Sequence, residues 1–385
     1  RQTRQLQNSL LLRLAIGSAR GHKMVWTSPE RKKIRVAGVI TKSLLLPVIV
    51  MILLIHRMAL MLDVILFPHL KNVEINKPLF IVGLPRSGTT TVHRLMASHS
   101  EQFTSMPLWE LIFAPALCQK YLCWAGYKID AALGGPIWKL LSLLQDHLIS
   151  SFDDIHPTRL TDPEEDYLGL LPFDGCFLRF LMFPYAKSTW AIGDFSSLPS
   201  AKRQRLLTAY RSIVKRHLAF RGEELRLLSK NPSFTTWVRD LADEFPDADF
   251  IGTHRDLASV VPSQLSSING GLQFFGHTSK DPWVIRQFSG LLIDYKERLT
   301  AYQNGLNTRY VDVDFDVLIR SPESVIEEIY KKFHIPSRNE NDSVVFDRLL
   351  MAARSYKSKH AYSLYEFGLQ SDDVGRGSTT LPSKG

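Results

Sequence analysis

Three cations stand out by position. Arg86, Lys230 and Arg255 each follow a short apolar run of strand type, in PLFIVGLPRSGTT (Pro78–Thr90), RLLSK (Arg226–Lys230) and ADFIGTHR (Ala248–Arg255). In the first stretch Leu79–Val82 reads as a strand, Gly83 ends it, and helical spacing resumes over Thr91–Ser98. A strand, a glycine loop and a helix start point backbone N–H groups and the positive end of a helix at a phosphate. The spacing from Gly83 to Thr90 is G-x-x-x-x-G-T-T, the frame of a nucleotide-triphosphate loop with Thr89 at the lysine position. Without that lysine the loop lacks the group that reaches β- and γ-phosphates. Arg86 brings in a permanently charged planar fork suited to a planar or trigonal anion. Arg255, at a strand end, and Ser263, two turns into the next helix, can converge on a second dianion. Each charge-assisted bond there contributes roughly 1.5–3 kcal/mol. The plainer alternatives are a tight turn, a surface Arg255–Asp256 pair and a solvated lysine.

Taken together these stretches resemble sulfotransferases that draw on 3′-phosphoadenosine-5′-phosphosulfate (PAPS). PRSGTT resembles their 5′-phosphosulfate loop, which implies donor contacts from Arg86, Ser87, Gly88, Thr89 and Thr90. THRDLASVVPSQLSS resembles their 3′-phosphate site, which implies Arg255 and Ser263. LLSKNPSF resembles the K-x-P setting of a lysine that touches the transferred sulfuryl group or the bridging oxygen, which implies a catalytic Lys230 beside Arg86. A cation aimed at the leaving oxygen stabilises the transition state more than the ground state. KHAYSLYEFGL (Lys359–Leu369) resembles the segment whose basic and aromatic groups close over the nucleotide, which implies Lys359, His360 and Tyr362. MLDVILFP (Met61–Pro68) resembles a helix end of soluble bacterial members, so the resemblance runs from about Met61 to Leu369.

An acceptor hydroxyl sheds a proton as it attacks, so a general base is required. Glu110 lies twenty residues after Thr90, where tyrosyl-protein and some carbohydrate sulfotransferases place their glutamate, although Met106-Pro107-Leu108 departs from that pattern. His156 in DIHPTRLTDPEED is the rival, because other branches use histidine and bacterial relatives carry a similar loop. Both stay open. An acid opening a helix also serves as a dipole partner. His93, His99 and His147 read as helix-face residues without a role.

The elements around these residues alternate. Helical patterns cover Pro107–Trp124, Pro136–Leu148, a stretch from Pro163 capped by Asp162, Lys202–Phe220, Ser233–Phe245, His254–Ile268, Asp281–Gln303 and Pro322–Phe333. Strand patterns cover Leu79–Val82, Arg226–Lys230, Ala248–Thr253 and Arg309–Phe315. Strands separated by helices predict an α/β fold of P-loop type, a parallel sheet flanked by helices on both faces in one domain after an N-terminal apolar helix. Ligands then belong at the carboxyl ends of the strands. The organisation expected is a basic arm over 1–43 with a short helix at Leu6–Ile16, an apolar helix over 44–67, a catalytic domain over 68–370 and a disordered tail over 371–385.

The net charge of +9 is local. Residues 1–42 hold ten Lys/Arg against Glu30 alone, and the remaining 343 residues balance to zero, which argues against a nucleic-acid partner. Three cysteines make neither a disulfide framework nor a zinc spacing, no metal site is visible, and Cys118 and Cys123 read as buried small residues. The apolar run Leu44–Ile55 and Met58–Phe67, split by His56 and Arg57, is long enough to cross a bilayer if read as one piece. Insertion gains of ~0.3–0.6 kcal/mol per apolar residue roughly cancel the penalties of Arg57 and Pro47. The basic cluster before it predicts a single-pass anchor with a cytosolic N-terminus and a lumenal body, Golgi-lumenal in a eukaryote. The alternative is a helix packed on a soluble cytoplasmic body. The chain opens on Arg1, which leaves room for a targeting piece upstream. Transfer to an acceptor hydroxyl, or less readily an amine, is the function expected; the acceptor itself is not written in the sequence. The rivals are an ATP- and Mg²⁺-dependent small-molecule kinase on the same fold and an inactive membrane-tethered interaction protein.

Overall fold

The computed structural model describes residues 29–151, 159–355 and 362–375. The helix expected at Leu6–Ile16, together with His156, Lys359 and His360, lies outside them. Among the described residues five strands form one parallel sheet, β1 (Leu79–Gly83), β2 (Phe103–Thr104), β3 (Arg226–Lys230), β4 (Asp249–His254) and β5 (Tyr310–Asp314), in the order β2-β3-β1-β4-β5. The side-chain period of two divides the strand residues between two cores. Phe80, Val82, Leu227 and Phe250 pack on one face, and Leu79, Ile81, Leu228 and Ile251 on the other. Both faces are dry because helices cover both, which is why the strands read as continuous apolar runs.

The helices that matter for the site are α1 (Pro29–Leu66), α2 (Thr89–Ala97), α3 (Leu108–Phe113), α4 (Leu117–Ala132), α5 (Pro136–Ser151), α6 (Ser200–Arg221), α7 (Leu257–Ser267) and α8 (Pro282–Gly305). The stretch expected as one helix over Pro107–Trp124 is two, α3 and α4, parted at Ala114–Ala116 around Pro115, whose ring cannot continue a helix. The helix expected from Pro163 is absent. Leu160–Glu164 instead runs against Met106–Trp109, with Leu108 N–H to the Asp162 carbonyl (3.1 Å), Trp109 N–H to that of Leu160 (2.9 Å) and Glu164 N–H to that of Met106 (3.0 Å). Helical turns of 3₁₀ type resume at Asp166–Phe173. Asp162 does not cap a helix; its carboxylate accepts from the Arg159 N–H (3.0 Å). Elements not expected from sequence include the two-residue β2 and helices over Lys187–Gly193, Phe315–Arg320 and Glu340–Ser355. The expected tail opens with a helical turn, Ser371–Gly375, whose Val374 is buried. Of the two cysteines expected to be buried, Cys118 is half-buried and Cys123 is exposed; Cys176 is buried.

α1 lies along the body. Its Asp63, fully buried, accepts from the N–H groups of Leu117 (2.6 Å) and Cys118 (2.9 Å) at the start of α4 and from Arg216 Nε of α6 (2.7 Å). One carboxylate thus joins three helices. Asp63→Ala strands the buried Arg216 and two helix N–H groups. A loss of about 3–5 kcal/mol is expected, read as a shifted midpoint in denaturant unfolding.

Candidate active site

The loop between β1 and α2 is shaped by two glycines and one strained arginine. Gly83 has φ +131°, and a Cβ there would stand 2.2 Å from the Thr253 carbonyl oxygen, so only glycine lets β1 end this close to β4. Gly88, at φ +86°, is the residue before α2. Arg86 adopts φ +64°, a left-handed conformation that costs a non-glycine residue about 1–2 kcal/mol. Ser87 is buried, with its Oγ on the Leu84 carbonyl and 2.6 Å from Thr253 Oγ1. Thr235 reinforces the strand end by accepting from the Gly83 N–H (2.8 Å). Thr89 and Thr90 open α2, where first-turn N–H groups have no carbonyl of their own helix to bond.

The register Gly83↔Thr253 sets the end of β4 beside this loop. His254 and Arg255 follow, and α7 then carries Ser263. Arg86 Nε donates to Ser263 Oγ at 3.1 Å, and Arg255 Nη1 donates to the Arg86 carbonyl at 3.3 Å. The two arginines and the serine, expected at two ends of one ligand, therefore occupy one continuous wall. Arg255 stacks on Phe315 with its guanidinium 4.0 Å from the ring centre. Burial, with Arg86 adding repulsion, lowers the Arg255 pKa. Like charges gathered this closely favour an anion between them. Tyr362 lies two residues before a 3₁₀ turn, Leu364–Phe367, that packs on α7.

On the other side of β1, Ile81 pairs with Lys230 at the end of β3. Lys230 is buried, and its Nζ reaches Glu164 Oε1 (3.3 Å) and Glu165 Oε1 (3.2 Å). Burial opposes the charged lysine, but the two carboxylates outweigh it and raise its pKa. Burial also raises the pKa of Glu165, against the pull of Lys230. His93 on α2 is buried nearby, bonded through Nε2 to Ser105 Oγ (2.9 Å), and burial together with the Lys230 charge pushes it down to about 3, so it is neutral.

Glu110 does not stand at Lys230. Its carboxylate is buried in a separate cluster, with Lys120 Nζ (2.6 Å) and His217 Nδ1 (2.8 Å) on Oε2 and Arg221 (2.7 Å) on Oε1. Burial works against ionisation, yet these partners outweigh it and hold the carboxyl well below the ordinary range. A carboxylate so engaged is suited to holding α3, α4 and α6 together and ill suited to accepting a proton. Sequence reading missed Glu164 and Glu165 because their chain segment was taken for a helix; two adjacent acids after Pro163 with no basic partner nearby were the available signal. Among the described residues no group of three or more His, Cys, Asp or Glu is placed to hold a metal ion.

His254 Nε2 sits 2.8 Å from Asp312 on β5. That hydrogen bond, against a desolvation penalty, raises its pKa above 6.5. The protonated pair contributes stability that is complete below pH 6.5 and fades as pH rises through the higher folded-state value. His254→Gln is expected to flatten that part of the curve of melting temperature against pH.

A sequence model described as the sulfotransferase family matches residues 78–133 and 143–339. In fold the chain is similar to the sulfotransferase STF1 of Mycobacterium tuberculosis H37Rv, with TM-score 0.60 and 19% identity over 84% of this chain and 83% of that one. It is also similar to the sulfotransferase STF9 of Mycobacterium avium, with TM-score 0.64 and 16% identity over 82% and 78%. An uncharacterized protein of Aquifex aeolicus (strain VF5) is 35% identical over 123 residues, 29% of this chain, and the chain spans only 15% of that protein's length. The family match takes in the loop of Arg86, the end of β3, the wall of Arg255 and Ser263 and all five strands: this chain belongs to the sulfotransferase family.

Proposed function

We propose that the protein transfers a sulfuryl group from PAPS to an acceptor hydroxyl by in-line displacement. The observation that carries this reading is the contact of Arg86 with Ser263, which joins the two anion-binding stretches into one wall able to take both ends of a single nucleotide. The chain fits such a ligand. Gly83 and Gly88 let the loop pack tightly on Thr253 and Leu318, two guanidiniums converge, and a third cation stands one strand away. The bound donor supplies an activated sulfuryl group. Arg86 with the N–H groups of Ser87, Gly88, Thr89 and Thr90 holds the 5′ end, and Arg255 with Ser263 holds the 3′-phosphate. Tyr362, with Lys359 and His360, borders the nucleotide from the C-terminal segment. Lys230 steadies the charge that grows on the leaving oxygen. Glu164 and Glu165 carry the proton from the acceptor, the role expected of Glu110 or His156; Glu165, whose affinity for a proton burial has raised, is the better base. α1, long and apolar enough to cross a membrane, holds the protein at a membrane.

Arg255→Ala is expected to weaken binding of adenosine 3′,5′-bisphosphate about 10–100-fold by calorimetry. Lys230→Ala should leave that affinity within about threefold and lower sulfuryl transfer about a hundredfold or more. Binding of ATP–Mg²⁺ in place of the bisphosphate would reject the reading in favour of a kinase. Glu165→Gln, compared with Glu110→Gln and His156→Ala, is expected to lower kcat about 10²–10⁴-fold with nucleotide affinity kept. Loss of kcat in His156→Ala, with Glu165→Gln active, would move the base to the histidine.

A further inference from the structure

The largest feature the reaction does not use is an apolar surface. Val36–Leu66 of α1 is 31 residues long, Gly38, His56, Leu60 and Asp63 are its buried residues, and Leu44, Leu54, Met58, Met61, Val64 and Ile65 are each more than half exposed. The surface continues onto α4, which packs on α1, and onto α5, which packs on α4. There Leu122, Ile129, Leu133, Ile137, Leu140 and Leu143 are likewise exposed. A monomer in water rarely leaves so broad a patch uncovered.

Lys42, His56 and Asp63 of α1 are spaced by multiples of seven, so they share one stripe of the helix. That stripe, with Arg57 beside it, is tied to the body from end to end. Lys42 Nζ meets His277 Nε2 (3.0 Å), His56 Nε2 meets the Ile112 carbonyl (3.0 Å), Arg57 Nε donates to the Pro172 carbonyl (2.7 Å), and Asp63 pairs with Arg216. Gly38 presses against the backbone of Gly276, closer than any side chain would permit. At 1.5 Å per residue the apolar stretch is about 46 Å long, against a hydrocarbon core of about 30 Å. A helix fastened along that length cannot cross the bilayer without breaking these ties or dragging the body into lipid.

We propose that α1 and the α4–α5 hairpin form one lipid-facing surface on which the protein lies in a single leaflet of an anionic membrane, with α1 parallel to the bilayer plane. The proposal rests on the membrane attachment argued above and adds the hairpin and the orientation. Charge supports the choice of lipid. Arg31, Lys32, Lys33 and Arg35 lie in the first turns of α1, within a basic arm that carries the whole net charge, and Lys128 and Lys139 lie on the hairpin. Half-exposed Trp124 and Tyr127, with Lys128 5.6 Å from the Trp124 ring centre, suit the headgroup level.

The test mixes the purified full chain with preformed phosphatidylcholine vesicles, with or without phosphatidylserine, and reads flotation. Binding is expected to phosphatidylserine vesicles above all. Leu122→Glu/Ile137→Glu/Leu140→Glu is expected to lower the bound fraction about tenfold or more with an unchanged melting temperature in detergent. With Cys118, Cys123 and Cys176 replaced by serine, Glu30→Cys and Lys71→Cys should both react with an impermeant maleimide added outside the vesicles. Protection of one end would mean that α1 spans, and flotation of the hairpin variant at the wild-type level would remove the hairpin from the lipid. Either result overturns the proposal and leaves membrane attachment standing. No flotation under any condition, with a dimer in light scattering, would overturn the attachment as well and assign the surface to a second copy.

Discussion

The contact between Arg86 and Ser263 holds the site together across 177 residues of chain. It exists because β1 and β4 are neighbours in a parallel sheet and end in register, so that the loop after one strand and the helix after the other leave from the same edge. Arg86 reaches its partner from a left-handed backbone that would be relaxed by a glycine, and a glycine would carry no charge. The local cost is held in place by Ser87, anchored to Leu84 and Thr253. Burial and strain here serve a fixed array of positive charge that is in place before any anion arrives.

On the far side of β1 the electrostatics change sign. Lys230 is buried with two carboxylates against it, so its charge is kept at full strength and still balanced. The same sheet edge thus runs from a surplus of positive charge at β4 to a compensated cation at β3. Glu110 and Asp63 show the other use of buried acids in this molecule. Each is engaged by several donors from different helices: Asp63 fastens α1 and α4 to α6, and Glu110 fastens α3 and α4 to α6.

Parallel architecture, strand positions and the cations at strand ends were legible because they depend on local signals. Continuous apolar runs, glycine at Gly83 and Gly88 and a cation at or just past the ends of β1, β3 and β4 need no distant partner to be recognised. β2 escaped because two residues carry no periodicity, and α3 and α4 were merged because Pro115 was the sole break in an apolar stretch. The stretch from Leu160 to Glu165 was misread for a deeper reason: Asp162 before Pro163 is a good helix start, but backbone pairing with Met106–Trp109 won over local propensity.

The residues alone determined the chemistry of the wall, since an arginine in a glycine loop, a lysine before Asn-Pro and an arginine eight residues ahead of a serine carry their charge whatever the fold. Which acids are free to take a proton there was decided only in three dimensions. Glu110, Glu164 and Glu165 are indistinguishable as letters. The partners that differ, Lys120, Arg221 and His217 for Glu110 and one shared lysine for the pair, come from α4, α6 and β3, and side-chain proton affinity follows the field of such partners rather than position along the chain.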